Sequence, residues 1–317
     1  MLKQVWLIGL IAPGLLLAAC QPAETTMNGN DGAITAVATI GMLGDAIENV
    51  GGDRVTVTTM MGPGVDPHRY TATERDVETL LEADMVFYLG LNLEARMADV
   101  LKQLGEGGDV AVVALGERIP GDLVLVEAGV TPSTPDPHLW MDAGRWARVV
   151  EAIREVLVAY DPAGEAVYRA NAEAYLAELA VLDTFVRESI GSIPEGQRRL
   201  VTAHDAFQYY SDAYDIAVFA PQGISTEAEA SVADIQATVN YVVVNKVPAV
   251  FFESAIPADT VRAIIEGVRA QGVTVTIGGE LFTDAMGDVG TPEGTYIGMM
   301  RHNTVTIVTA LGGTINE

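Results

Sequence analysis

Cysteine is nearly absent. Cys20 is the only one in 317 residues, so the chain can form neither an internal disulfide nor a thiolate cluster. Basic residues are also scarce: 18 Lys and Arg stand against 43 Asp and Glu, a formal net charge of −25. A surface that negative repels nucleic-acid phosphates and anionic lipid head groups, which excludes nucleic acid as a partner class. Histidine is rare, with four in the chain, so any site for a soft or borderline metal must be made from very few residues. The apolar run VWLIGLIAPGLLLAA, residues 5–19, is interrupted by Pro13 and Gly14 and falls short of the roughly 20 residues of a spanning helix. What remains is 49% hydrophobic and 19% charged, the balance of a globular body rather than a disordered one. Its length favours two lobes over one core.

The N-terminus carries the first motif. Lys3, then the apolar run, then small residues is the order of a secretory signal over residues 1–19. The run ends in Leu17-Ala18-Ala19-Cys20, which resembles the lipobox of bacterial lipoproteins; a buried reduced thiol is the plainer role for Cys20. The resemblance implies that Cys20 becomes the first residue of the mature chain and carries a diacylglycerol and an N-acyl group. Several acyl chains anchor stably where one is marginal. The protein is then exported and held on the cell membrane, facing the periplasm or the cell exterior. Residues 20–32, ending QPAETTMNGNDG, are small, polar and aperiodic and read as a tether.

From residue 33 short β-branched runs alternate with helical patterns. AITAVATI, RVTVTTMM, DMVFYLG and DVAVVAL read as four strands of a first lobe, residues 33–160. Strands alternating with helices of this length argue for parallel βαβ units. Asp161-Pro162 reads as a helix start with Pro at the first position. The helix beyond it, within a linking segment of residues 161–192, shows a stripe of Tyr168, Ala172, Tyr175, Leu179, Leu182 and Val186. It contains neither Pro nor Gly between Glu165 and Ile190, so it resists bending. LVTAHDA, IAVFAPQG, VPAVFFES and VTVTIGG supply four more strands in a second lobe, residues 193–317. The expected fold is α/β: two βα lobes, each with a mostly parallel four-stranded sheet, joined by one long rigid helix.

Two of the four histidines sit in the same tripeptide, Asp-Pro-His, at His68 (VDPHRY) and His138 (PDPHLW). His204 follows the strand LVTA, and Asp284 follows VTVTIGG in GGELFTDAMG. Ligands in open α/β sheets bind beyond the carboxyl ends of the strands, where these four residues fall. Three imidazoles and a carboxylate suit a divalent first-row metal. Proline stiffens the approach to each DPH histidine, and the neighbouring aspartate can accept the imidazole's other N–H. A solvated loop histidine, or for Asp284 a turn residue ahead of Gly287, is the alternative for each taken singly. His302 lies in a helical stretch among Tyr, Ile, Met and Val and is left outside the site.

VDPHRY, DPHLWMD, VTAHDAFQYY, QGISTEAEAS, FFESAIP and GGELFTDAMGDVGTPEGTYIGMMRHN together resemble the cluster A-I metal-receptor lipoproteins of ABC importers, with most likeness to TroA-type receptors for manganese and zinc. The resemblance runs from about residue 33 to the end. It implies a non-enzymatic receptor that captures Mn2+ or Zn2+ between its lobes and passes it to an ABC permease and its ATPase. The family's four ligands fall on His68, His138, His204 and Asp284. Two departures pull in opposite directions: several manganese receptors carry glutamate where His204 stands, and zinc-dedicated receptors carry a histidine-rich loop where this chain has VEAGVTPSTP. Two other classes compete: a zinc hydrolase using a three-histidine site, for which no HExxH motif is present, and an adhesin or structural surface protein.

Overall fold

The computed structural model describes residues 33–127 and 133–315. The signal segment, Cys20, the tether and residues 128–132 of the proline-rich loop lie outside the described residues.

The first lobe opens with β1 (Ile34–Ile40), α1 (Gly41–Gly51) and β2 (Val55–Met61), then α2 (Glu74–Glu82), β3 (Met85–Tyr88), α3 (Ala98–Gly107) and β4 (Ala111–Ala114). The four strands form one sheet in the order β2-β1-β3-β4, all parallel. Thr73 starts α2 with a reciprocal cap: its hydroxyl accepts from Asp76 N while the Asp76 carboxylate accepts from Thr73 N, satisfying backbone donors that a helix start leaves open. α4 (Ala143–Tyr160) begins at Asp142, whose carboxylate accepts from Gly144 N and Arg145 N.

Asp161 does not cap by its side chain. Its Oδ2 instead accepts from Arg54 Nε (2.9 Å), Arg54 Nη2 (2.6 Å) and Tyr168 OH (2.7 Å). Pro162–Gly164 form a 3-10 turn that leads into α5 (Glu165–Gly191), 27 residues long and so roughly 40 Å. Its buried face is Tyr168, Ala172, Tyr175, Leu179, Leu182 and Val186, the stripe the spacing predicts. Burial of Leu179, Leu182 and Val186 on this face contributes about 2 kcal/mol each.

The second lobe holds β5 (Arg199–Val201), α6 (Gln208–Tyr214), β6 (Ala217–Phe219), α7 (Val232–Asn245), β7 (Ala249–Glu253), α8 (Asp259–Ala270), β8 (Thr276–Leu281) and α9 (Tyr296–Ala310). Here the structure differs from expectation in two ways. The four strands hydrogen-bond as two parallel pairs, β5-β6 and β7-β8, rather than as one continuous ladder. Where the pairs meet, the amides of Ala203 and His204 donate to the Glu253 carboxylate instead of to a strand carbonyl. The second difference is the placement of β8, which starts at Thr276 and runs through Gly278 and Gly279 with a register shift at Val250/Phe251. A Cβ on Gly278 would lie 2.3 Å from the buried Phe251 ring. That glycine is needed for close packing.

The lobes do not have separate cores. One apolar cluster runs from β1 and α1 through α4 and α5 to Phe207, Tyr209, Phe251, Leu281 and Met299; a smaller cluster of Val201, Val239, Val250 and Ile264 lies under α7 and α8. Trp146 of α4 stacks on Tyr296 of α9 at 5.3 Å, and Tyr296 OH donates to Trp140 O at 2.8 Å. None of the described helices is long and apolar enough to cross a membrane.

Candidate metal centre

The loops after β2, β4, β5 and β8 converge where the carboxyl ends of the strands face each other. His68 comes from a turn seven residues past Met61, and His138 opens the short 3-10 turn Leu139–Met141 ahead of α4. His204 stands three residues beyond Val201, and Asp284 three beyond Leu281. One donor atom from each of the four lies within 4.8 Å of the others, and all four residues are buried. His302 is outside the cluster, on the half-exposed face of α9, with Nε2 3.1 Å from Glu280 O.

The Asp284 carboxylate is the centre of this arrangement. Its Oδ2 lies 3.7 Å from His68 Nε2 and 3.3 Å from His204 Nε2, and its Oδ1 3.4 Å from His138 Nε2. None of these contacts has hydrogen-bond geometry, and both Asp284 oxygens, the three Nε2 atoms and His68 Nδ1 are buried without a partner among the described residues. Two donors each about 2.1 Å from one tetrahedral ion stand about 3.4 Å apart. The three carboxylate–imidazole separations are close to that value, and the four donors lie near enough to one another to share a cation.

Buried carboxylates brace two of the imidazoles from behind. Asp136 Oδ1 sits 2.7 Å from His138 Nδ1 and also accepts from His138 N at 2.9 Å. Glu253 Oε2 meets His204 Nδ1, while Oε1 accepts from Ala203 N and His204 N. Each carboxylate fixes the tautomer that turns Nε2 inward. The expectation that the adjacent aspartate serves this role holds at Asp136 but not at Asp66, which accepts from His68 N at 2.9 Å and from Thr226 Oγ1 at 2.6 Å. Sequence reasoning also missed Glu253. The available signal was a carboxylate ending the apolar run AVFFE, a residue too costly to bury without a partner. Trp140 was missed likewise; its indole N–H donates to Thr283 O at 2.7 Å and holds the Asp284 loop against the first lobe.

Burial opposes charge on His138, but the Asp136 and Asp284 carboxylates outweigh it and hold the imidazole up at about 9. Burial likewise opposes charge on His204, and Glu253 and Asp284 hold it well above the ordinary histidine value. His68 has no carboxylate behind it; burial pushes it down to about 3. Burial works to raise Asp284, yet the surrounding imidazoles keep it well below the usual carboxylate range.

The class that this fold and cluster define is a two-lobed α/β protein with a buried three-histidine, one-carboxylate cation site where the strand-end loops meet. Residues 36–310 match the ZnuA family, zinc-uptake complex component A, periplasmic, and the chain belongs to that family. It is 46% identical over 281 residues to the zinc-binding protein TroA of Treponema pallidum, covering 89% of this chain and 90% of TroA. It is 43% identical over 281 residues to the manganese-binding lipoprotein MntA of Bacillus subtilis, with the same coverage. The solved periplasmic zinc-binding TroA of T. pallidum superposes with a TM-score of 0.84 at 45% identity, over 88% of this chain and 99% of that one. Fe(III)-bound YtgA of Chlamydia trachomatis does so at 0.80 with 29% identity, over 90% and 100%.

The pH dependence of the centre follows from His138. Its pKa is raised in the folded metal-free state, so its pairing with Asp136 and Asp284 stabilises that state fully below about 6.5 and is lost as pH rises through about 9. A metal must displace this proton to reach Nε2. Titration calorimetry near pH 7.5 in buffers of different ionisation enthalpy is expected to show net proton release on loading with Mn2+ or Zn2+. Affinity should climb with pH between 7 and 9, because the His204 imidazole, also held above its ordinary value, must give up its proton as well; a pH-independent affinity between 7 and 9 contradicts the assignment.

Proposed function

We propose that this chain is the extracytoplasmic metal receptor of an ABC importer. It captures Mn2+ or Zn2+ as transported substrate at His68, His138, His204 and Asp284 and delivers it to the permease, with its ATPase, in the cytoplasmic membrane. The observation that carries this reading is the convergence of unpartnered buried donors on one point between the lobes. Family membership and relatives named for zinc and manganese support it. Three nitrogens and a carboxylate accept either ion, and intrinsic affinity favours zinc at such sites, so tight zinc binding alone does not identify the ion carried. Residues 33–160 and 193–317 act as the two lobes and residues 161–192 as their rigid link. The chain has no enzymatic role in this account: four side chains close around the ion, and the hydrolase alternative has no general-base motif to support it.

His68→Ala, His138→Ala and His204→Ala are expected to lower metal affinity at least about a hundredfold each, since each removes a ligand. The metal-free melting temperature should fall least for His68→Ala and more for His138→Ala and His204→Ala, which leave the buried Asp136 and Glu253 carboxylates without their imidazole partners. Competition against a chromogenic chelator measures this, with His302→Ala as the control that stays at wild-type affinity. Wild-type affinity in His138→Ala would overturn the site.

We assign Cys20 as the lipid attachment point, on the lipobox pattern and on the lipoprotein names of relatives such as B. subtilis MntA. Cys20→Ala should leave metal binding intact and release the exported protein from the membrane fraction. Continued partition of the exported variant with membranes would contradict the assignment.

A further inference from the structure

We infer that Thr226 is a positioning residue that sets how long the metal is held, through a strap of residues 222–228 tying the second lobe to the loop of His68. The inference rests on the receptor reading and adds a residue to it.

The strap begins at His204. Gln222 forms a parallel bridge with His204, Gln222 N donates to Ala203 O at 3.3 Å, and Asp205 N donates to Gly223 O at 3.3 Å. The Gln222 side-chain amide then turns forward, donating to Thr226 O (3.1 Å) and Ala228 O (2.8 Å), which fixes the shape of the strap. Thr226 is 2% exposed, and its hydroxyl crosses to the first lobe to donate to Asp66 Oδ2 at 2.6 Å. The other oxygen of Asp66 accepts from His68 N at 2.9 Å. A continuous series of hydrogen bonds therefore links the backbone at His204 to the backbone at His68.

That link matters most at His68. His138 and His204 are oriented by Asp136 and Glu253 through their ring Nδ1 atoms. His68 has no hydrogen-bond partner on either ring nitrogen among the described residues, so its ring direction depends on its loop. The loop in turn depends on Asp66, whose second oxygen is held by Thr226. Dissociation requires one ligand to leave first, and the least braced imidazole is the one to go. A second cross-lobe contact, Arg96 Nε to Glu227 Oε1 at 2.9 Å, joins side chains 43% and 45% exposed, and exposed pairs contribute little. A cavity of about 380 Å³ lined by Asp66, Arg69, Gln222 and Thr226 lies beside the strap. Once the hydroxyl is gone, water can reach the freed carboxylate, which turns toward it and takes the His68 loop along.

The test uses the exported full-length protein or its soluble mature form, loaded with Mn2+ and mixed with excess chelator in a stopped-flow instrument. Thr226→Val keeps the volume and removes the hydroxyl. It is expected to speed dissociation about tenfold while leaving the association rate and the metal-free melting temperature near wild type. Thr226→Ser should restore slow dissociation, and Glu227→Gln should match wild type. A dissociation rate unchanged in Thr226→Val while the wild type binds one ion overturns the strap and leaves the receptor intact. Thr226→Ser dissociating as fast as Thr226→Val also overturns it, since the hydroxyl would then be irrelevant. A wild type that binds no metal fails the receptor reading itself.

Discussion

Everything in this molecule is arranged around a cost: six polar atoms of His68, His138, His204 and Asp284 are buried together without hydrogen-bond partners among the described residues. An unsatisfied buried polar group costs about 1–3 kcal/mol, and the charge pairing of His138 and His204 with Asp284 offsets only part of that cost, since none of the six atoms gains a hydrogen bond. Two conditions favour such a cluster: surroundings that hold it in place and a cation that offsets the cost. The continuous core from α1 through α5 to α9 provides the first condition. The donor set provides the second, because a divalent ion satisfies all four residues at once. Capture of metal thus adds to the stability of a chain already folded, and loading is linked to stability by mass action.

The scaffold also limits how the site can open. α5 runs unbroken for 27 residues and packs its aromatic stripe into the core shared by both lobes. The stacked Trp146 and Tyr296 lock α4 to α9, and Trp140 pins the Asp284 loop to the first lobe. These contacts oppose a hinge between the lobes, so movement at the site would fall to the short ligand loops. The glycines at the start of GGELFTDAMG do not provide it, because Gly278 and Gly279 are built into β8.

Much of this was legible in the sequence, for reasons that can be named. Both DPH histidines and His204 were readable because strand-end loops are where parallel sheets place ligands. The α5 stripe was readable because its spacing of four and three is helical. Asp284 was harder, since loops are rich in aspartate and only its position after β8 marks it. Glu253 was hidden because it serves a histidine 49 residues away, a distance that local pattern does not encode. The pairing of β5 to β8 was hidden for the same reason: the Glu253 carboxylate takes amides that a continuous sheet would use.

The central claim is that these four side chains bind one ion and do so together. Crystals of the mature chain loaded with Mn2+ or Zn2+, with anomalous data collected at the metal edge, address it directly. The account predicts one strong anomalous peak in the cleft, about 2.0–2.3 Å from Nε2 of His68, His138 and His204 and from the Asp284 carboxylate. A peak bound elsewhere, or one that lacks any of the three histidines as ligand, would contradict it.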